Sequence, residues 1–161
     1  MIDLKKYSWL LILIGGILVL LAAVLPTIGY IDTQNPGNFS FTWIFGLTLD
    51  ENGIEMLDNA PNLMAVGTIG AITLIIFSLI FIISSIITVA TNINLPIKEY
   101  IWLILGFVLI IFPVILRGTM GLVVKDYEDF FWFVLPIDLF TFFITLGGLF
   151  STIAGLEEII R

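Results

Sequence analysis

The sequence predicts an all-α membrane protein: a left-handed bundle of four transmembrane helices carrying a small extracellular β-hairpin or sheet, in one integral membrane domain over residues 1–161. Three observations carry this prediction. Apolar stretches with at most one charge recur four times, each near or above the ~20 residues that a helix needs to cross a hydrocarbon core. An aromatic alternation between the first two stretches reads as a strand. Small residues recur at spacings of seven and four inside the stretches, as close-packed helices in lipid require. The composition agrees, at 60% hydrophobic and 12% charged with a mean hydropathy of +1.16. A soluble domain sits closer to half apolar and a quarter charged.

The helices follow from the placement of charge. None falls between Lys6 and Asp32, between Asp58 and Lys98, or between Glu99 and Arg117, and only Asp138 interrupts the stretch from Phe130 to Leu156. These intervals predict helices near 7–30, 62–91, 99–117 and 131–157, with outer loops at 31–61 and 118–130. The third is the shortest, roughly 26 Å at 1.5 Å per residue, so Arg117 is expected to snorkel to the head groups. The first begins after Lys5 and Lys6, yet its apolar run exceeds the roughly 7–15 residues of a cleaved signal segment and reads as a retained helix.

Lysine and arginine near helix ends stay on the cytoplasmic side. Lys5, Lys6, Lys98 and Arg161 share one side; the other has Arg117 and Lys125 against eight acidic residues, Asp32 and Asp50 among them. A multi-pass protein of the cell membrane with both termini cytoplasmic and an acidic extracellular loop results. The sequon Asn38-Phe39-Ser40 then lies outside, as an accessible glycosylation acceptor or as a chance tripeptide. Helices entering from outside begin with suitable residues: Asp58 or Asn59 as cap, Pro61 in the first turn, and Asp126, Glu128 and Asp129 ahead of the fourth.

The first outer segment alternates Phe39, Phe41, Trp43, Phe45, Leu47 and Leu49 with mostly polar or small residues, which predicts a strand with one apolar face. Asn52-Gly53 supplies a turn, and 54–57 returns as a second strand or a short helix. Asp50, Glu51 and Glu55 do not reproduce the ligand spacing of a calcium loop and read as a solvated turn. Residues 120–124 are a candidate further strand. On the inside, 92–98 is a tight turn around Pro96.

Within the helices, Gly15, Ala22 and Gly29 recur at spacing seven in the first; Gly67 and Ala71 lead to Ser78 and Ser85 in the second; Gly147, Ser151 and Gly155 recur at spacing four in the fourth. Sevenfold spacing keeps one seam in register in a left-handed bundle. The third helix has Gly106 alone, so it is expected to face lipid or to pack through large side chains. A weak internal echo, Tyr7-Ser8-Trp9-Leu10 against Tyr100-Ile101-Trp102-Leu103, opens the first and third helices.

Asp138 is the intramembrane charge. A carboxylate there is costly, must face the bundle or a wet cavity, and normally has a partner, for which Arg117 is the candidate. Two readings stay open: an ion pair holding the third and fourth helices together, or a cation site below the acidic outer surface. Pro113 and Pro136 lie near the same level. Glu157 and Glu158 sit where the dipole of their own helix disfavours negative charge.

With neither His nor Cys, the chain has no Cys-His or Ser-His-Asp site, no thiolate chemistry, no disulfide and no ordinary zinc set. No catalytic, cofactor-binding or metal site is expected, and the protein is read as no enzyme. A net charge of −7 with six Lys plus Arg argues against nucleic acid. The expected partners are the lipid bilayer and either copies of itself or another membrane protein.

The plan resembles the claudin and PMP22 group of tetraspan membrane proteins. Trp43 matches that group's first loop aromatic and Gly46-Leu47 two letters of its Gly-Leu-Trp, with Thr48 in place of the Trp and no cysteines. The resemblance implies adhesion, accessory roles or lateral self-association. The leading function is a structural or accessory tetraspan that self-associates or joins a larger complex through its outer sheet, with Phe39, Phe41, Trp43 and Phe45 as candidate interface, and through its helix seams. The alternative is a small cation channel or transporter unit using Asp138.

Overall fold

The computed structural model describes residues 4–31, 39–56, 61–91, 97–123 and 139–160. After a single 3-10 turn, Leu4–Tyr7, the elements in order are α1 (Ser8–Val24), β1 (Ile28–Ile31), β2 (Phe39–Thr42), β3 (Leu47–Asp50), β4 (Gly53–Met56), α2 (Pro61–Thr91), α3 (Lys98–Val123) and α4 (Leu139–Ile160). Three helices contain spans long and apolar enough to cross a membrane, Met64–Ala90, Lys98–Leu116 and Phe140–Ile160, while α1 is apolar but shorter at 17 residues. Their exterior is as greasy as their interior: Ile69, Ile76, Ile83, Phe107 and Val114 all lie exposed. A helix apolar all round needs a solvent other than water, which fits a helical membrane protein.

α1 stops at Val24 rather than near 30. Pro26 disfavours helical ψ at the residue before it, and Leu25 is extended at ψ 156°. Gly29 therefore lies in β1 opposite Phe41 instead of on a helix seam. At the other extreme α3 continues to Val123, so 120–123 is helical and not a strand. The buried positions Trp102, Leu109 and Leu116 repeat every seven residues, and the next position in that phase is Val123.

The four strands form an antiparallel meander, β1-β2-β3-β4. The expected continuous strand over 39–49 is instead a hairpin. Gly46 N–H donates to the Trp43 carbonyl at 2.9 Å, Trp43 N–H donates to Leu47 at 2.8 Å, and Gly46 takes φ +86°, which glycine adopts without a Cβ clash. The following turn, expected at Asn52-Gly53, closes between Asp50 and Gly53, with Asn52 N–H donating to Asp50 Oδ1 at 2.8 Å. Register puts Phe41, Leu49 and Ile54 in one row and Thr42, Thr48 and Glu55 in the next. One face thus carries Phe39, Phe41, Leu47, Leu49, Ile54 and Met56, since side chains alternate along each strand.

In the bundle α1 packs on both α2 and α4, α3 lies along α4, and α2 and α3 touch less extensively. Two adjacent glycine pairs make this possible. On α1, Gly15 meets Gly147 of α4 while Gly16 lies under Ser78, Phe81 and Ile82 of α2. On α4, Gly147 serves α1, and Gly148 meets Gly106 of α3. Neighbouring residues point about 100° apart on a helix, so each pair lets one helix approach two others closely. α3, expected to face lipid or to pack through large side chains, is instead tightly apposed to α4 through Gly106: a Cβ on Gly148 would lie 2.7 Å from the Gly106 carbonyl oxygen. The core between the helices holds Ile12, Val19, Leu74, Phe81, Trp102, Leu109 and Ile144, all fully buried.

Serine hydroxyls stitch the seams. Ser78 and Ser85 of α2 donate to the carbonyls of Gly16 and Trp9, at 2.9 and 2.7 Å, so spacing seven on one helix matches spacing seven on the other. Ser151 of α4 donates to the Trp102 carbonyl at 2.7 Å, and Trp102 Nε1 donates to Ser84 Oγ at 2.9 Å. Thr73, Thr88 and Thr152 instead bond back to carbonyls of their own helices.

Candidate functional site

The sheet is anchored by its β2–β3 turn, and the anchor follows from unequal helix lengths. α1 has 17 residues and α2 has 31, roughly 26 and 46 Å. With Trp9 beside Ser85 and Gly16 beside Ser78, the antiparallel register brings Val24, the last residue of α1, level with Gly70 of α2. Beyond that level α2 continues without α1 beside it, and the hairpin turn fills the space. Ile44, 3% exposed, has its Cδ1 against Gly70, where Leu116 of α3 also packs. Gly46 meets the side chain of Met64, and Phe45 packs on the core. Trp43 Nε1 donates to the Val24 carbonyl at 2.8 Å and satisfies one of the C-terminal carbonyls of α1.

Of the four aromatic residues expected at an outer interface, Trp43 and Phe45 thus make contacts inside the chain. Phe39 and Phe41 are half-buried, with ring centroids 5.9 Å apart and planes tilted by 42°. The same apolar face ends on β4, where Ile54 is 68% exposed and Met56 48%. β4 is also the last strand of the meander. Across β2, β3 and β4 the opposite face is polar, with the Thr42 and Thr48 hydroxyls 3.2 Å apart. The outcome is an amphipathic sheet held rigidly at its turn, with large apolar side chains outward on its β4 side.

Among the expected packing residues, Gly15, Gly147, Ser78, Ser151 and Gly155 make the seams described, Gly155 lying against the backbone of Glu99 and Leu103. Ala22, Gly67 and Ala71 are buried. Asp138 lies outside the described residues, as does the side chain of Arg117, and so do Asn38, Asp58, Asn59, Asp126, Glu128, Asp129 and Pro136. Among the described residues no group of three or more His, Cys, Asp or Glu comes together as a metal set.

The end opposite the sheet also carries charged residues, Lys98, Glu99, Glu157 and Glu158 among them. Glu158, unfavourable at the end of its own helix, accepts a 2.5 Å hydrogen bond from Ser8 Oγ, at the first residue of α1. There the positive end of a neighbouring helix dipole compensates it. Lys98 opens α3 and, unusually for a lysine, is only 7% exposed, with its ammonium 5.4 Å from the centroid of the Trp102 ring.

Sequence reasoning missed Ile44, Gly148 and Lys98. Signals for the first two existed: Ile44 is apolar at a position whose neighbours in phase, Ser40, Thr42 and Thr48, are polar, and Gly147-Gly148 is a doublet like Gly15-Gly16. No protein-family model, no curated protein and no solved structure matches the chain.

Proposed function

We propose that the chain is a structural or accessory protein of the cell membrane, which associates with copies of itself or with a larger membrane complex through its extracellular sheet. The observation that carries this reading is an amphipathic sheet pinned to the bundle by Trp43, Ile44 and Gly46 while Ile54 and Met56 stand exposed on its β4 side. Exposed apolar residues on a rigid support suit a protein contact, because little ordering entropy is spent on binding. The interface is then Phe39, Phe41, Ile54 and Met56 rather than Trp43 and Phe45.

All four helices cross the bilayer in this reading, with both termini cytoplasmic as the lysine distribution favours. α1 spans about 26 Å and the hairpin turn completes the thickness above it. The plan remains similar to that of the claudin and PMP22 group, in which a sheet from the first outer segment sits on four helices. The test is the mass of the particle in nanodiscs. Ile54→Glu with Met56→Glu is expected to shift an oligomer to monomer, or to release co-purifying subunits, while the helical circular dichroism stays unchanged. A particle of unaltered mass in the double variant would remove the sheet as the interface.

A further inference from the structure

We propose that the outer edge of β4 takes up an extended, basic segment of a different protein as an added strand, with a lysine or arginine of that segment beside Glu55. The inference rests on the reading of the sheet as a contact surface and names the kind of partner that this surface fits.

The first observation is an open strand edge. β4 ends the meander, and among the described residues no strand pairs with its far side. In an antiparallel ladder the N–H and C=O groups of successive residues point alternately to the two sides of the strand, so half of those on β4 turn away from β3. Ile54, Glu55 and Met56 present side chains to both faces of the sheet, and all three are exposed. A row of unpaired backbone groups flanked by exposed side chains is a template for a further strand. The template is also held in place, because Trp43, Ile44 and Gly46 fix the sheet to the bundle, so pairing orders little that was free.

The second observation is charge, and it decides what the edge accepts. Residues 32–61 contain five acidic residues and neither lysine nor arginine. Glu51 and Glu55 are exposed, and among the described residues they form no ion pair. Glu55 stands in the polar row with Thr42 and Thr48, where no cation offsets it. A second copy of the chain is a poor occupant. The twofold register that sets Ile54 against Met56 also sets Glu55 directly against its own counterpart, and like charges in that position destabilise a strand pair. Glu55 thus guards the edge against its own kind, while the same carboxylate attracts a basic strand. The alternation along β4 fixes the pattern of the partner: apolar side chains opposite Ile54 and Met56, and a cation between them opposite Glu55.

The test uses the full chain in nanodiscs of phosphatidylcholine, which has no net charge, with empty nanodiscs as the blank. The probe is a dye-labelled peptide of alternating valine and lysine, capped at both ends, and its binding is followed by fluorescence anisotropy. Saturable binding is expected, and a peptide with glutamate in place of lysine should not bind. Methylating the backbone nitrogens of the lysine peptide removes its ladder donors and should weaken binding by about tenfold or more. Glu55→Gln should weaken it about threefold, the scale of one exposed ion pair. Glu51→Lys with Glu55→Lys should reverse the preference towards the glutamate peptide; both positions are exposed, so the helical circular dichroism should not change. Binding that survives methylation, or an unchanged preference in the double lysine variant, would overturn the proposal. Failure of the lysine peptide to bind the wild-type chain would also overturn it and leave Glu55 only as a guard of the edge. Particles of several copies that fall apart in the Ile54→Glu, Met56→Glu variant but ignore the peptide would overturn the basic partner and leave the contact surface standing. A particle mass insensitive to that variant would remove the contact surface itself.

Discussion

Gly148→Ala is the sharpest test of how the helices meet. The added Cβ would lie 2.7 Å from the Gly106 carbonyl oxygen and 3.1 Å from both Cγ1 and the backbone nitrogen of Ile110. An ordinary contact begins at 3.4 Å, and backbone cannot swing aside as a side-chain tip can, so α3 and α4 must part by about 0.7 Å. A gap of that size forfeits roughly a quarter to a half of each dispersion contact along the seam. It also stretches the 2.7 Å bond from Ser151 to the Trp102 carbonyl. Overpacking of this kind costs about 1–3 kcal/mol, against which alanine returns about 1 kcal/mol of helix propensity, for a net loss of up to about 2 kcal/mol. Gly70→Ala is the matched control. Its nearest neighbour is a terminal methyl of Leu116 at 3.1 Å, which can move, so the same propensity gain should leave it neutral or slightly more stable. Equilibrium unfolding in dodecylmaltoside mixed with dodecyl sulfate, followed by circular dichroism, measures both. Equal effects of the two substitutions would refute the assignment of Gly148 to a backbone contact.

Other substitutions probe the anchor and the stitching. Ile44→Ala empties the space between Gly70 and Leu116 and should cost about 2–4 kcal/mol, seen as faster proteolysis within 39–56 while the helices persist. Trp43→Phe removes the bond to the Val24 carbonyl and should lower stability by about 1 kcal/mol in the same unfolding assay. Ser85→Ala, which loses its bond to the Trp9 carbonyl, should cost about 0.6 kcal/mol, the usual scale for hydrogen bonds between helices in membranes.

The helices were legible where a single strong signal dominates. α2 follows from an interval without charge, and its observed end at Thr91 coincides with the expected one. Local steric rules decided the misplaced ends: Pro26 overrode an apolar run that continues past it, so Ile28–Ile31 became a strand. The hairpin was hidden because the apolar alternation runs through its turn without a break in phase at Phe45 and Leu47; only Gly46 and the out-of-phase Ile44 mark the reversal. Counting small residues one helix at a time could not reveal that Gly106 finds its counterpart in Gly148, since a seam is a property of two helices. The role of Glu158 was illegible for the same reason, as its compensation by Ser8 spans almost the whole chain. Residues whose contacts lie within one helix turn, such as Thr73 and Thr88, behaved as local chemistry expects.

The central claim, that the sheet is an extracellular contact surface, is tested most directly with one thiol. The chain has no cysteine, so Ile54→Cys introduces a unique label on β4. In intact cells a membrane-impermeant maleimide should react with it from outside. A short homobifunctional maleimide should then link it to a second copy or to one defined membrane protein. Labelling only after the membrane is opened, or efficient labelling without any cross-linked species, would contradict the account.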